Sequence, residues 1–211
     1  MSNLTTVFFV RHGETDANLY NKIQGQTDVP LNESGLKQAE LIGKRLKNTT
    51  FDFIYSSDLS RAAVTARNIA GTREVIYTEQ LREWNLGHWQ GKYIKDIAQQ
   101  HPEEYALFKA RDTSFRPANG ESTIELSIRA KNFMKQIAEK HEGKTVLCVS
   151  HGGFLRAVLF NIMNSDKYPN SRTDNTALFC FCTSDCGNTW QLVTWNDTNH
   201  LNCGLVYTNA L

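Results

Sequence analysis

Two histidines and two arginines lie in short polar segments that each follow an apolar stretch of the sequence. Arg11 and His12 follow the first stretch, Arg61 stands shortly after the second, and His151 follows a third. A guanidinium group is planar and permanently charged, so its N–H fork suits the oxygens of a phosphate. A neutral imidazole is a competent nucleophile when a hydrogen bond holds its second nitrogen, and Gly13 lets the backbone come close enough to His12 to do so. In one crevice, these side chains would bind a phosphoryl group and transfer it to His12 without a metal ion.

The elements predicted around these segments explain how they would meet. Residues 4–10, 51–55 and 145–149 are rich in β-branched and aromatic side chains, which is typical of buried strands. Amphipathic helix patterns alternate with them along the chain. This alternation predicts an α/β fold, a three-layer α/β/α sandwich with a mostly parallel central sheet. Because ligands bind beyond the carboxyl ends of parallel strands, we expect the two histidines and two arginines at one sheet edge.

The remaining elements follow from the same patterns. The predicted helices are Glu33–Lys47, Leu59–Ala70, Tyr93–Gln100, Glu103–Ala110, Thr123–His141 and Phe154–Met163. Further predicted strands are Glu74–Tyr77, Ala177–Cys182 and Trp190–Trp195, the last two as a hairpin that turns at Asp185 to Asn188. Asn32 and Asp58 are predicted N-caps. The helix N-termini after Asp58 and Gly152 would offer backbone N–H groups to the same anion.

The composition limits what the protein can bind. The chain has 211 residues with 23 Lys+Arg against 22 Asp+Glu, a net charge of +1. Its length predicts a single domain over residues 1–211, and its balanced charge disfavours nucleic acid or an anionic membrane as a partner. No apolar run approaches the ~18 residues of a membrane helix. We expect a cytoplasmic protein, since the N-terminus has no leader-like pattern, and the sequence leaves its oligomeric state open.

The cysteines allow two interpretations. Cys180, Cys182 and Cys186 cluster, with His200 and Cys203 further on, a grouping that raises the possibility of a zinc site. However, Cys180 and Cys182 alternate with phenylalanines in an apolar run, which favours buried thiols on one face of a strand. The histidines outside the predicted site are interpreted as surface or loop residues: His88, His101, His141 and His200.

Taken in order, these motifs resemble those of the histidine phosphatase superfamily. The resemblance spans most of the chain and depends on an ordered set rather than on one tripeptide. The matching segments are Arg11-His12-Gly13-Glu14-Thr15, Asn18, Gln24-Gly25-Gln26-Thr27-Asp28, Pro30-Leu31, Ser56-Ser57-Asp58-Leu59-Ser60-Arg61-Ala62, Leu81-Arg82-Glu83, Gly91, Gly120-Glu121-Ser122 and Ser150-His151-Gly152-Gly153.

The resemblance implies a role for each matching residue. His12 would become phosphohistidine, while Arg11, Arg61 and His151 would hold and neutralise the phosphoryl oxygens. Glu83 would protonate the leaving oxygen and then activate water. The positions that line the phosphate and substrate pocket would be Asn18, Gln24 and Gly25. The implied activity is hydrolysis of a small phosphorylated metabolite, with neither metal nor cofactor.

The segment between Glu83 and Gly120 separates the branches of this family. Phosphoglycerate mutases carry a longer insert there, whereas Glu83 to Gly91 resembles the phosphatase branch, in which an acidic residue commonly stands at the position of Gln90. We therefore expect a phosphatase. A cofactor-dependent phosphoglycerate mutase is the alternative, and a non-catalytic module that binds a phosphorylated ligand is a second one, disfavoured because no catalytic position is missing.

Residues 84–118 are expected to form a small helical cap insertion over the crevice. The segment is rich in aromatic side chains and contains several lysines. Two interpretations stay open: the aromatic side chains sandwich an organic leaving group, or they anchor the insertion to the core.

Three charged residues near the predicted site also have competing interpretations. Glu14 competes with Glu83 as the acid but better fits a structural contact. Glu121 is either a helix-capping or a catalytic residue, and Arg82 either touches substrate or is a solvated charge.

Overall fold

The computed structural model describes residues 3–164 and 168–201 and confirms the α/β fold. Its strands are β1 (Thr5–Arg11), β2 (Phe53–Ser56), β3 (Ile76–Tyr77), β4 (Thr145–Ser150), β5 (Leu178–Thr183) and β6 (Gln191–Asp197). Its α-helices are α1 (Asp16–Leu19), α2 (Glu33–Leu46), α3 (Ser60–Ala70), α4 (Ile94–Gln100), α5 (Pro102–Ala110), α6 (Thr123–Lys140) and α7 (Gly152–Met163). Short 3₁₀-helices cover Glu79–Leu81, Gly87–Trp89 and Asn199–Leu201. Among these described helices, none has the length and apolar character to cross a bilayer.

All six strands belong to one sheet, in the order β3-β2-β4-β1-β5-β6. The first four strands along the chain are parallel, and β5 and β6 form an antiparallel hairpin at one side. In this register Arg11 lies opposite Ser150, and Ser56 lies opposite Val149. The chain segments that follow β1, β2 and β4 therefore leave the sheet at the same edge, as predicted.

The core lies on both faces of the sheet. Val10, Leu147 and Val149 pack with residues of α2 and α3 on one face. Phe9 and Cys148, which alternate with them in the strands, pack with residues of α6 and α7 on the other face. The sheet is thus covered on both sides by helices, which confirms the three-layer arrangement.

The segment after β1 lies directly on the N-terminus of α2. A Cβ atom on Gly13 would stand 2.5 Å from the carbonyl oxygen of Gly35, and one on Gly35 would stand 2.0 Å from that of Glu14. Only glycine fits at such a separation of two backbones. Asn32 caps α2 as predicted, since its side chain accepts a hydrogen bond from the Gly35 N–H at 2.8 Å. The glycine pair explains how the position of His12 is fixed relative to this helix.

The predicted cap of α3 was wrong. The helix begins at Ser60, its N-cap is Leu59, and Asp58 makes no capping hydrogen bond. Asp28 instead accepts the Ser60 N–H at 2.8 Å, while Asp58 forms an ion pair with Arg82. The carboxylate at the N-terminus of α3 thus comes from Asp28, which is distant in sequence, because Arg82 holds Asp58 in an ion pair.

The positions of Cys180 and Cys182 in the β5–β6 hairpin agree with the interpretation of these cysteines as buried thiols of a strand. Cys180 and Cys182 are buried in β5, and Cys203 lies outside the described residues. Two of the histidine interpretations were wrong. His141 is buried and lies 2.9 Å from the Tyr55 hydroxyl, and His200 is buried with its Nε2 2.9 Å from the Thr176 hydroxyl.

The aromatic residues of the 84–118 segment pack mainly against one another. Trp84, Trp89, Phe108 and Phe115 form a set of ring contacts with centroids 5.0–5.8 Å apart. Trp89 is fully buried and Phe115 nearly so. These contacts favour the interpretation in which the aromatic side chains anchor the insertion, since buried rings have no face left for a ligand.

Candidate active site

His12 lies in the loop that follows β1 and is almost completely buried. Its Nδ1 atom is 2.7 Å from the carbonyl oxygen of Gly13, so Nδ1–H donates and Nε2 keeps its lone pair. Burial and the nearby charges of Arg61 and Arg11 hold the pKa of His12 well below its usual range. The ring is therefore a neutral imidazole at neutral pH, with its free nitrogen directed away from the backbone.

His151 is the second histidine of the site and sits at the N-cap position of α7. Its ring centroid is 5.0 Å from that of His12, and neither of its buried ring nitrogens has a hydrogen-bond partner among residues 3–164 and 168–201. Burial, followed by repulsion from Arg61, keeps its pKa well below the usual value. A buried imidazole whose nitrogens are unpaired in this part of the chain is suited to receive a partner from a ligand.

The two arginines are held by backbone carbonyl groups. Arg61 is completely buried and donates from its two Nη atoms to the carbonyl oxygens of Gly25 and Thr27, at 2.7 and 2.8 Å. Arg11 donates from Nη1 to the carbonyl oxygen of Thr173 at 2.6 Å. In both side chains the buried Nε has no hydrogen-bond partner among the residues that the structure describes, and burial lowers both pKa values to about 10, against the opposing charge of Glu83.

Both guanidinium groups therefore already donate hydrogen bonds to the protein and do not offer all of their N–H groups to a phosphate. Each Nη atom of Arg61 already uses one N–H on the protein, so the fork is fixed before any ligand arrives. Because its orientation is already fixed, the side chain would lose little conformational entropy on binding an anion.

Glu83 follows the 3₁₀-helix Glu79–Leu81 and meets the N-terminus of α7. Its carboxylate accepts the N–H groups of Gly153 and Phe154, both at 3.2 Å, and that of Trp84 at 2.9 Å. A Cβ atom on Gly153 would stand 2.3 Å from Oε1, so this close approach requires glycine. These contacts hold the Glu83 side chain at the N-terminus of α7, close enough to the two arginines for its charge to act on their pKa values.

Arg129, which forms an ion pair with Glu121, holds the segment that carries Glu83 in place. Arg129 was not identified from the sequence. Arg129 of α6 donates to the carbonyl oxygens of Gln80, Arg82 and Glu83 and to both carboxylate oxygens of Glu121. Glu121 is therefore the ion-pair partner of Arg129 and not the cap of α6, since Ser122 and Glu125 form the capping box. The signal that could have found Arg129 is its place among the apolar positions of an otherwise amphipathic helix.

The other two ambiguous charged residues also have structural partners. Glu14 accepts a hydrogen bond from the Asn32 side chain at 3.0 Å, which agrees with the structural contact expected for it. Arg82 is paired with Asp58 and with Glu79 rather than solvated alone.

Two of the predicted pocket residues, Gln24 and Gly25, belong to the turn that binds Arg61, and the third, Asn18, lies in α1. Gly25 has a positive φ of 53°, and its carbonyl oxygen receives an Arg61 N–H. Gln24 accepts the Thr15 hydroxyl at 3.0 Å, and Asn18 forms a capping box with the same threonine. These contacts give Gln24 and Asn18 a definite structural role beside the pocket that was predicted for them.

Gln90 stands where the phosphatase branch commonly has an acidic residue, and it supports the same turn. Its side-chain oxygen accepts the N–H of Gln26 at 2.6 Å, and Gln26 donates in turn to the carbonyl oxygen of Glu83 at 3.1 Å. An amide oxygen and a carboxylate oxygen can both accept this hydrogen bond. Glutamine therefore retains the acceptor at this position and acts on Glu83 only through Gln26.

The loop before β5 closes the site from the other side. Asn175 donates to the carbonyl oxygen of His12 at 3.0 Å, and Thr173 binds both Arg11 and Arg156. Within the described part of the chain, the buried Nε of Arg156 has no hydrogen-bond partner. Nothing in the local sequence of this loop indicates such a role, because its partners Arg11 and His12 are more than 160 residues earlier in the chain.

A Cβ atom on Gly152, the last of the predicted site residues, would stand 3.5 Å from Nε of Arg11 and 3.6 Å from Nη1 of Arg156. The N-terminus of α7 therefore adjoins both guanidinium groups. The structure brings His12, His151, Arg11, Arg61 and Glu83 to one sheet edge, with Gly152 among them.

Comparisons with known proteins agree with this geometry. The family model of the histidine phosphatase superfamily (branch 1) matches residues 7–198. The metal-independent phosphoserine phosphatase of Arabidopsis thaliana is 40% identical over 205 residues, covering 95% of this chain and 84% of the relative. Phosphoglycerate mutase-like protein 4 of the same plant is 36% identical over 200 residues, covering 92% and 86%.

A solved structure is similar over nearly its whole length. Phosphoserine phosphatase of Entamoeba histolytica, in complex with 3-phosphoglyceric acid, has a TM-score of 0.84 and 31% identity, covering 93% of this chain and 99% of that chain. The fold, the motifs and these matches agree. The chain belongs to the histidine phosphatase superfamily, branch 1.

Proposed function

We propose that the protein is a metal-independent phosphomonoester hydrolase that works through a phosphohistidine on His12. The observation that carries this proposal is the state of the His12 ring. Gly13 fixes the proton on Nδ1, and the lowered pKa leaves Nε2 unprotonated inside a pocket that holds two arginines. A neutral, oriented imidazole beside fixed positive charge is the arrangement that nucleophilic attack on a phosphate monoester needs.

The first step transfers the phosphoryl group to the enzyme. Nε2 of His12 forms a bond to phosphorus while the bond from phosphorus to the ester oxygen breaks. The leaving oxygen takes a proton from the Glu83 carboxyl group, so a neutral alcohol departs. In the second step Glu83 takes a proton from water, the water oxygen attacks phosphorus, and the N–P bond breaks to release inorganic phosphate.

The positive charge for this transfer comes from the chain itself. Charge in the transition state is spread over the three equatorial oxygens, which fixed N–H donors can stabilise. In the described part of the chain, Arg11 and Arg61 each have a buried Nε without a hydrogen-bond partner, and His151 has two such nitrogens. Burial and, after it, the arginine charges hold the pKa of His151 down, and a bound phosphate would offset the arginine charges and so raise this pKa.

The proposed binding site for the leaving group is a cavity of about 550 Å³ between residues 109–113 and the 168–170 segment. Tyr168 lines it and donates its hydroxyl to the Gly153 carbonyl oxygen at 3.1 Å, so the cavity adjoins the N-terminus of α7. Arg111 lines it too, and burial followed by repulsion from Arg156 lowers the pKa of Arg111. We propose that the leaving group is small and carries a second anionic group, as phosphoserine and phosphoglycerate do.

The experiment that tests the reaction is a hydrolysis assay with excess chelator. We expect release of phosphate from an aryl phosphate and from phosphoserine, undiminished by the chelator. Strict dependence on an added metal ion would refute the metal-independent mechanism. The mutase alternative is separated by 2,3-bisphosphoglycerate: a mutase requires it and transfers phosphate between positions far more often than it hydrolyses, and we expect the opposite ratio.

Glu83→Gln should affect substrates according to their leaving groups. An alkyl phosphate needs its departing oxygen protonated, so its turnover should fall by about 10²–10⁴-fold, whereas p-nitrophenyl phosphate should lose far less. The measurement is kcat across a series of leaving groups of graded acidity. Glu14→Gln provides the matched control, and its losses should show no such gradient. Equal losses for every substrate of Glu83→Gln would contradict the acid role.

Arg111→Gln should separate substrates by their second charge. Loss of one cation from the cavity should raise KM for phosphoserine about tenfold, equivalent to about 1.4 kcal/mol, and leave KM for an aryl phosphate whose leaving group carries no charge nearly unchanged. Lys131→Gln, on the exposed surface of α6, is the control for a general change in charge. An equal rise in KM for both substrates would show that Arg111 does not recognise the charge of the leaving group.

A further inference from the structure

Three side chains of the 84–118 segment form a cluster that the reaction does not use. His88 lies in the 3₁₀-helix Gly87–Trp89, His101 connects α4 to α5, and Glu104 lies in the first turn of α5. One ligand atom from each lies within 4.8 Å of the other two, and all three side chains are partly buried. Two imidazoles and a carboxylate are the donor types that Zn²⁺ takes in proteins.

The distances suit a tetrahedral ion. Nε2 of His88 and Oε2 of Glu104 are 3.6 Å apart. Ligand bonds of 2.0–2.1 Å in a tetrahedron place neighbouring donor atoms about 3.3 Å apart. A shift of a few tenths of an ångström would close that edge, and small side-chain rotations of His101 would complete the set.

Surrounding hydrogen bonds prepare two of the three groups for this task. Nδ1 of His88 lies 3.3 Å from the carbonyl oxygen of Ala118, which places its proton there and leaves Nε2 as the free donor atom. Glu104 Oε2 accepts the indole N–H of Trp89 at 3.2 Å. Ligating histidines characteristically give their other N–H to a backbone carbonyl, and ligating carboxylates are themselves hydrogen-bonded.

The backbone also holds the three residues in place. The His88 N–H donates to the same Ala118 carbonyl at 3.1 Å, and the His101 N–H donates to Ile97 at 2.8 Å. The His101 carbonyl accepts the Tyr105 N–H at 2.9 Å, in the turn that carries Glu104. Binding an ion here would therefore order little additional chain.

We propose that His88, His101 and Glu104 form a structural binding site for a divalent transition-metal ion, best suited to Zn²⁺, with water as the fourth ligand. The ion would cross-link the loop that carries Trp89 to the start of α5. Its role would be to stabilise the 84–118 segment, and it would take no part in phosphoryl transfer at His12.

The test uses the full-length protein after removal of metals with a chelator. We expect it to bind one Zn²⁺ per chain in a calorimetric titration and to unfold at a higher temperature when Zn²⁺ is present. Substitution by Co²⁺ should give the intense visible absorption of a tetrahedral site without a thiolate charge-transfer band. Turnover of an aryl phosphate should change little on Zn²⁺ addition.

Single substitutions then assign the site. Glu104→Gln and His101→Gln should each weaken Zn²⁺ binding at least about tenfold and abolish the thermal shift. Glu103→Gln, at the neighbouring exposed position, and Cys186→Ser, at an exposed thiol, should bind as the unmodified protein does. Circular dichroism checks that each variant folds. The proposal is overturned if no ion binds, if Glu104→Gln and His101→Gln bind normally, or if Cys186→Ser removes the binding.

Discussion

His12→Ala is expected to lower turnover of every phosphomonoester substrate by on the order of 10³-fold or more. Alanine has no atom that can form the bond to phosphorus, and the remaining arginines can stabilise only the much slower direct attack of water. The measurement is kcat with an aryl phosphate, for which leaving-group protonation matters least. Rapid quenching with ³²P-labelled substrate should trap an acid-labile, alkali-stable label on the unmodified protein and none on His12→Ala.

His151→Asn is the matched control for that experiment. It removes the neighbouring imidazole, which we assign to binding oxygens rather than to bonding phosphorus. We expect slower turnover with the label still attached to His12. Exogenous imidazole should restore part of the activity of His12→Ala, because it can occupy the vacated volume and act as the nucleophile. Undiminished turnover by His12→Ala, or label on another residue, would refute the phosphohistidine mechanism.

Arg61→Ala should lower kcat by about two to three decades, equivalent to about 2–4 kcal/mol. The charge is buried and its fork is held by Gly25 and Thr27, so it stands ready for the transition state. Removing it also leaves those two carbonyl oxygens without their donor, so we expect a lower unfolding temperature as well. Activity must therefore be expressed per folded molecule, measured at a temperature where circular dichroism shows the variant intact.

Arg61→Lys separates the two effects of that substitution. Lysine keeps a positive charge but cannot reach both carbonyl oxygens and the phosphate in the planar geometry of the guanidinium group. We expect it to recover only part of kcat. Arg67→Gln, on the exposed side of the same helix, should match the unmodified protein in both measurements. A loss below about threefold for Arg61→Ala, well under 1 kcal/mol, would place Arg61 outside the transition-state contacts.

The residues that were predictable from sequence are those whose role is local. The period of α2 and its Asn32 cap, the apolar runs of the strands, and the polar ends of β1 and β4 are all contained in neighbouring residues. The convergence of His12 with His151 followed from one general rule, that parallel strands present their carboxyl ends at one edge.

The residues that escaped prediction depend on distant partners. Asp58 has the chemistry of an N-cap, yet its pairing with Arg82 excludes that role and Asp28 takes it over. Arg129 holds the Glu83 segment from a helix that is far from it in sequence. His88 and His101 lack any recognisable metal-ligand spacing, because they lie in separate elements that come together only when the 84–118 segment folds.

The place of β1 in the sheet has a consequence for how the protein is made. Its two neighbours, β4 and β5, both lie in the C-terminal part of the chain, and Arg11 is tied to Thr173, 162 residues later. During translation β1 must therefore wait unpaired until most of the polypeptide has emerged from the ribosome. Contacts of such long sequence separation slow folding, so this topology exposes an apolar, unpaired strand to aggregation for longer than a fold with local strand pairing would.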